Sequence, residues 1–169
     1  LEQAKQHLRV IGSAEDSIIT LYLTAAQRYV EEWCQICLIG GVIVQDFKTG
    51  WPSEYLSLSV GNVSGITSLS YNTIEDRDFT TVSSDVYIAD QKYNRARIML
   101  YSEWPDASPL FIRVSYTSGF SSVDAIPANI KIAILLVLAD MYENRQDNIK
   151  TMPTAAQHLL EPYRAIQKI

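Results

Sequence analysis

The sequence predicts an α+β fold: a helical body of one short helix, one long spine helix and two C-terminal helices, with an antiparallel β insertion in the middle. Three observations carry this. Apolar residues recur at helical spacing from Ile18 to Cys37, the period becomes two between Val42 and Tyr116, and it returns to helical after Ile126-Pro127. A chain of 169 residues, 47% hydrophobic and 20% charged, is long enough to bury a real core as one domain. That domain divides into N-terminal helices over 1–40, the β insertion over 42–117 and C-terminal helices over 126–169.

Taking the elements in order, Glu2 to Val10 reads as a short helix with Ala4, Leu8 and Ile11 on one side, closed by Gly12. Ser13 then opens the spine helix. Asp16 three residues on approximates a capping box, and Glu15 and Asp16 put negative charge where the helix dipole favours it. Ile18, Tyr22, Ala25, Ala26, Tyr29, Val30, Trp33 and Cys37 form the stripe, and Gly40-Gly41 is expected to end the helix after Leu38-Ile39.

In the insertion, Leu56, Leu58 and Val60 alternate with Ser57 and Ser59, Leu69 and Tyr71 with Ser68 and Ser70, and Val86 and Ile88 with Tyr87 and Ala89. Gly61-Asn62, Ser64-Gly65 and the charged run Glu75-Asp76-Arg77-Asp78 supply turn chemistry. The last strand, Leu110 to Tyr116, sets Leu110, Ile112, Val114 and Tyr116 on one face and Phe111, Arg113 and Ser115 on the other, so it should be half buried. Gly119 marks the turn that follows. Pro127 suits the first turn of the next helix, which ends in Met141-Tyr142-Glu143-Asn144-Arg145. The final helix starts near Met152-Pro153 with Leu159, Leu160 and Tyr163 on its apolar side, and Pro162 should kink or shorten it.

The formal charge of −5 argues against a protein that wraps nucleic acid, because phosphate binding needs clustered Lys and Arg and no such cluster occurs. An acidic or mixed surface fits a channel wall that must not grip phosphates as well as it fits no DNA contact at all, and the charge does not separate the two. The apolar run Ile132 to Ala139 is far shorter than the roughly 20 residues of a membrane span. There is no basic region followed by an apolar run and a small-residue cleavage site, so no secretory signal is read, and opening at Leu1 suggests a trimmed start.

Little here resembles catalytic chemistry. Cys34-x-x-Cys37 has redox or zinc spacing, but no second Cys pair accompanies it, and His7 and His158 lie far apart. A reactive pair sits where a helix begins, so that the dipole stabilises the thiolate. Cys34 and Cys37 stand at a helix's end, which raises a thiol pKa. They read as small apolar residues, and two reduced cysteines suit a cytosol. Glu31-Glu32 point in different directions, and Glu75, Asp76 and Asp78 lack the spaced ligands and glycine of a calcium loop. No G-x-S-x-G elbow, P-loop or G-x-G-x-x-G occurs. No catalytic, cofactor or metal site is therefore expected.

The order of several motifs adds a positive signal. These are Leu1-Glu2-Gln3-Ala4-Lys5, His7-Leu8-Arg9-Val10, Glu15-Asp16 and a long helix to Glu31-Glu32-Trp33, then Val114-x-Tyr116-x-x-Gly119-Phe120, Ile126-Pro127-Ala128-x-Ile130-Lys131, Tyr142-Glu143-Asn144-Arg145 and Leu160-x-Pro162-Tyr163-Arg164. Together they resemble the head-completion family of tailed double-stranded DNA bacteriophages, the head-tail connector or adaptor proteins between portal ring and tail. The resemblance covers nearly the whole chain. It departs at Val60-Gly61-Asn62-Val63-Ser64-Gly65, where many relatives are proline-rich, and at Cys34-Gln35-Ile36-Cys37, which replaces a polar, glycine-containing turn.

The resemblance implies a structural virion protein of a phage or prophage, in the host cytoplasm during assembly and afterwards in the virion. Its expected partners are the portal, a downstream tail or stopper protein, and copies of itself in a closed ring of roughly a dozen subunits. DNA would meet it only by passing through, and no membrane is involved. Portal contact is expected from Leu159, Leu160, Tyr163, Arg164 and Ile166, and neighbour or tail contact from Glu75, Asp76, Arg77 and Asp78. The apolar Ile126 to Tyr142 helix is open to two readings: covered partly by a neighbouring subunit, or buried wholly within its own. Two other functions stay open, another tail-completion module and a thiol redox protein using Cys34 and Cys37.

Overall fold

The computed structural model describes residues 1–48, 50–90, 96–145 and 152–165. They form two compact units, one of Leu1–Cys34 with Val123–Arg164, the other of Gln35–Ser122 together with Ala165. The architecture is α+β, helices flanking an antiparallel β insertion.

The first unit packs α1 (Glu2–Leu8), α2 (Asp16–Cys34), α3 (Ala128–Glu143) and α4 (Thr154–Leu160), the last running into a 3₁₀ turn at Glu161–Tyr163. Its core comes from Ala4, from Ile19, Ala26, Val30 and Cys34 of α2, from Ile130, Ala133, Ile134, Val137 and Leu138 of α3, and from Met152, Ala156 and Leu160. Pro127 and Pro153 each stand immediately before a helix in extended conformation, where a missing N–H costs nothing. Pro162 lies in the 3₁₀ turn that ends α4, the shortening expected of it.

The helix boundaries differ from the sequence reading at both ends of the spine. α1 closes at Arg9, which takes the left-handed conformation (φ 57°), so Ile11 is left 99% exposed instead of joining the apolar side. Ser13–Glu15 forms a turn in which the Asp16 N–H bonds the Ser13 carbonyl, and α2 begins only at Asp16. α2 ends at Cys34 rather than near Gly40. Gln35 turns left-handed (φ 55°), Ile36 bridges to Gly61, and the buried face runs through Ile19 and Cys34 rather than Ala25 and Cys37. A tertiary bridge outcompetes helix continuation here, although no glycine stands at the break.

The second unit holds β1 (Gly41–Phe47), β2 (Tyr55–Ser57), β3 (Val63–Asn72), β4 (Thr80–Thr81), β5 (Tyr87–Asp90), β6 (Arg97–Leu100) and β7 (Phe111–Ser118). They form two antiparallel sheets, ordered β1-β7-β3-β4 and β2-β6-β5. β7 alternates as its sequence predicts. Ile112, Val114 and Tyr116 are fully buried, in one core with Leu56, Leu58, Leu69, Val82, Ala96 and Ile98. The Tyr116 hydroxyl within this core is satisfied, since Tyr116 Oη donates to Gln45 Oε1 at 3.2 Å. Trp51 stacks on Trp104 (4.8 Å between centroids, 5° between planes) and meets Tyr71 edge-on, while each indole N–H reaches a backbone carbonyl, of Ala107 and Pro52 respectively.

Two details of the insertion depart from the sequence reading. Ser64-Gly65 is a bulge inside β3, where the register against β7 slips, not a turn between strands. Ile88 faces outward and is 45% exposed, while Tyr87 and Ala89 are the more covered pair on β5.

Candidate functional site

The residues with interaction chemistry fall into three groups. The first closes the helical unit. Tyr142 Oη donates a short hydrogen bond to Glu15 Oε2, and Arg145 Nη2 lies 3.4 Å from Glu15 Oε1 while its guanidinium covers the Tyr142 ring at 4.4 Å. The Tyr142 hydroxyl, with help from Arg145, holds the Glu15 carboxyl below its usual range, and the same bond pushes the Tyr142 hydroxyl up. Glu15-Asp16 and Tyr142-Glu143-Asn144-Arg145 are two separate motifs in the sequence, and the fold brings them together across α2 and α3. Lys5 Nζ sits 2.8 Å from Asp16 Oδ1, tying α1 to the start of α2.

The second group is the C-terminal turn. Leu160 is fully buried, so its contribution is to the core of its own unit; Leu159 and Tyr163 are half-buried. The Arg164 guanidinium lies over the Trp33 ring at 4.1 Å, with Nη1 3.7 Å from Glu161 Oε2. Ile166 lies outside the described residues. Leu159, Tyr163 and Arg164 thus keep partly accessible surface on one short segment.

The third group lies in the β unit. Glu75, Asp76, Arg77 and Asp78 form an exposed turn between β3 and β4. It is held by the Thr73 N–H to the Asp76 carbonyl, the Asp76 N–H to Thr73 Oγ1 and the Asp78 N–H to Asp76 Oδ1. Nearby, Arg113 grips Asp46 through two bonds of 2.7 and 2.8 Å and stacks on Phe79 at 4.0 Å. Hydrogen bonding to Arg113 holds the Asp46 carboxyl low and pushes Arg113 further up.

Catalytic geometry does not assemble around the cysteines. Cys34 and Cys37 form no disulfide, and burial pushes the Cys34 thiol up to about 11, away from the thiolate a redox nucleophile requires. Among the described residues no group of three or more His, Cys, Asp and Glu is placed to hold a metal, and no helix is long and apolar enough to cross a membrane.

The sequence reading missed one surface. Val42-Ile43-Val44 is an unbroken apolar run, ordinarily the mark of a strand covered on both faces. β1 instead lies at a sheet edge, with Val42 66% and Val44 57% exposed.

Comparison with known proteins decides the class. A family profile for phage gp6-like head-tail connector proteins matches residues 1–97. The chain belongs to that family. No curated protein matches it. Among solved structures, a chain in the virion of a native gene transfer agent (GTA) particle is similar over 99% of this chain and 90% of its own, with 25% identity and a TM-score of 0.80. A chain from the neck of the empty GTA particle, computed with C6 symmetry, covers the same shares at 23% identity and a TM-score of 0.78. One from the neck of the native particle, computed with C12 symmetry, matches at 24% identity and a TM-score of 0.77, covering 99% of this chain and 89% of that one. The connector fold therefore extends through the C-terminal helices, beyond the stretch that the profile matches.

Proposed function

We propose that this connector acts as one structural subunit of a closed ring between the portal and the tail of a phage-like particle, and that DNA passes through the ring without being gripped. Membership of the head-tail connector family carries the reading. The likeness to a GTA virion chain along almost the full length supports it, as does the C12 symmetry of the native GTA neck, which suggests a ring of similar order here. A ring needs a heterologous interface in which one patch meets a different patch on the next copy. A net charge of −5 suits a channel that must not hold phosphates.

The portal-facing element in this reading is the C-terminal turn, through Leu159, Tyr163, Arg164 and the following Ile166, with Leu160 anchoring it from within. The Glu75–Asp78 turn meets the next tail or stopper component or a neighbouring subunit. Half-exposed Ile132, with Leu135 and Leu136 beside it on α3, offers apolar surface to a neighbour. The protein works in the host cytoplasm during assembly and stays in the virion, without catalysis. Deleting Pro162–Ile169 tests the portal assignment. The shortened chain is expected to keep its helical circular dichroism and to lose co-sedimentation with the portal, and retained binding would remove the assignment.

A further inference from the structure

Of the four outer edges of the two sheets, three are blunted by shortness: β4 has two residues, β2 three and β5 four. β1 has seven and pairs with β7 along one side only. Among the described residues no backbone hydrogen bond reaches its other side. An open edge of this length presents a row of unpaired N–H and C=O groups, which native sheets guard with proline, lysine or a bulge. β1, Gly-Val-Ile-Val-Gln-Asp-Phe, carries none of these. Its one charge, Asp46, is neutralised by Arg113. Exposed Val42 and Val44 stand beside Thr117 and Ser115 of β7, and Ile39, 53% exposed, stands at the strand's entrance.

We infer that this edge is an assembly surface, to which a second copy of the chain adds an extended segment as an extra strand, laying apolar side chains over Val42 and Val44. Main-chain bonds supply the affinity in such strand addition and the side-chain pockets supply the selectivity. The ring reading supplies a second copy as the occupant, and charge agrees with it. Copies that each carry a net charge of −5 repel over much of their surface, so an uncharged edge is a favourable place for two of them to meet. Of the exposed acids in this unit, Glu54, Glu75, Asp76, Asp78, Glu103 and Asp106 lie in the segments that follow β1 and β3 and precede β7, at one end of the four-stranded sheet; Asp85 follows β4, the strand at the edge opposite β1, and Asp46 within β1 is paired with Arg113. The stretch of β1 from Gly41 to Gln45 lies toward the other end, bordered by Ser115, Thr117, Gly65 and Ser68, with no charge among them. It is the edge on which an acidic chain can meet itself. The inference rests on the ring reading and assigns one of the ring's contacts.

The test uses the full chain, assembled at high concentration or on its cognate portal, with two readouts. Amide exchange over 41–47 is expected to slow about tenfold or more in the ring relative to the free chain. The double variant Val42→Lys/Val44→Lys, altered at solvent-facing positions, is expected to keep the wild-type circular dichroism and to assemble at least about tenfold more weakly. Val44→Thr, β-branched and uncharged, should assemble close to wild type. Unchanged exchange over 41–47, or normal rings from the double lysine variant, overturns the inference and leaves the ring reading standing. Protection gained from portal in the absence of a ring makes the portal the occupant and also overturns it. A wild-type chain that forms no ring alone or on portal refutes the ring reading itself, and this inference with it.

Discussion

Gly119 is the position where a single methyl group should do the most damage to the β unit. Its φ of +107° lies where L side chains rarely go, and a Cβ built there would stand 2.7 Å from the Gly40 nitrogen, 2.7 Å from the Ile39 carbonyl carbon and 2.8 Å from the Gly40 Cα. All three are backbone atoms, so no side chain can swing away. They belong to a junction in which the Gly119 N–H bonds the Asn62 carbonyl, the Phe120 N–H bonds Leu38 and the Gly40 N–H bonds Phe120, fixing the chain as it enters β1. The conformational strain costs about 1–3 kcal/mol. The overlap costs about 1–3 kcal/mol more. At the middle of that combined range, about 4 kcal/mol, Gly119→Ala lowers the melting temperature by roughly 8–16 °C. Gly41→Ala is the control: a Cβ there meets nothing within 4 Å, and the change should stay within about 0.5 kcal/mol. Gly12→Ala isolates the conformational part, because Gly12 has φ +86° and open space around it. Urea unfolding followed by tryptophan fluorescence reads the β unit through the stacked Trp51 and Trp104. If Gly119→Ala proves as stable as Gly41→Ala, the backbone at this junction is not held as closely as these distances require.

Other outcomes follow from the side-chain geometry. The Glu15 carboxyl is held below its ordinary 4.5, so its contribution to stability is present above that value and is lost as pH falls through the folded pKa. Glu15→Gln should therefore be less stable than wild type at pH 7, with the gap closing as the pH drops below about 4.5; a gap that does not change with pH would contradict the Tyr142–Glu15–Arg145 contact. With its thiol pushed up to about 11 by burial, Cys34 should resist a thiol reagent at pH 8 in the folded chain and react quickly in urea, and rapid native labelling would contradict its burial. Leu160→Ala should cost about 2–5 kcal/mol in thermal or urea unfolding, because the fully buried side chain leaves a cavity behind; a loss below about 1 kcal/mol would place Leu160 on the surface.

What was legible in the sequence was local and periodic. β7 could be placed because Ile112, Val114 and Tyr116 alternate with Phe111, Arg113 and Ser115, and the structure buries the first set completely. Pro127, Pro153 and Pro162 marked helix ends because their chemistry fixes them. The misreadings arose where a distant partner decides. α2 ends at Cys34 because Ile36 bridges Gly61, a residue that no helical pattern includes. Ser64-Gly65 has the chemistry of a turn, but β7 pairs alongside and converts it into a bulge. The connector motifs were visible as separate words, and that Glu15 meets Tyr142 and Arg145 emerged only from the packing of α2 on α3. The open edge of β1 was hidden for a similar reason, since Val42-Ile43-Val44 reads as buried until the strand order puts it outermost.

The central claim is that the chain closes into a ring at the head-tail junction, and mass by light scattering across protein concentration, alone and then with the cognate portal, addresses it directly. The account predicts a discrete closed multimer, formed by the chain alone or only once portal is added. A monomer at every concentration, indifferent to portal, would contradict it.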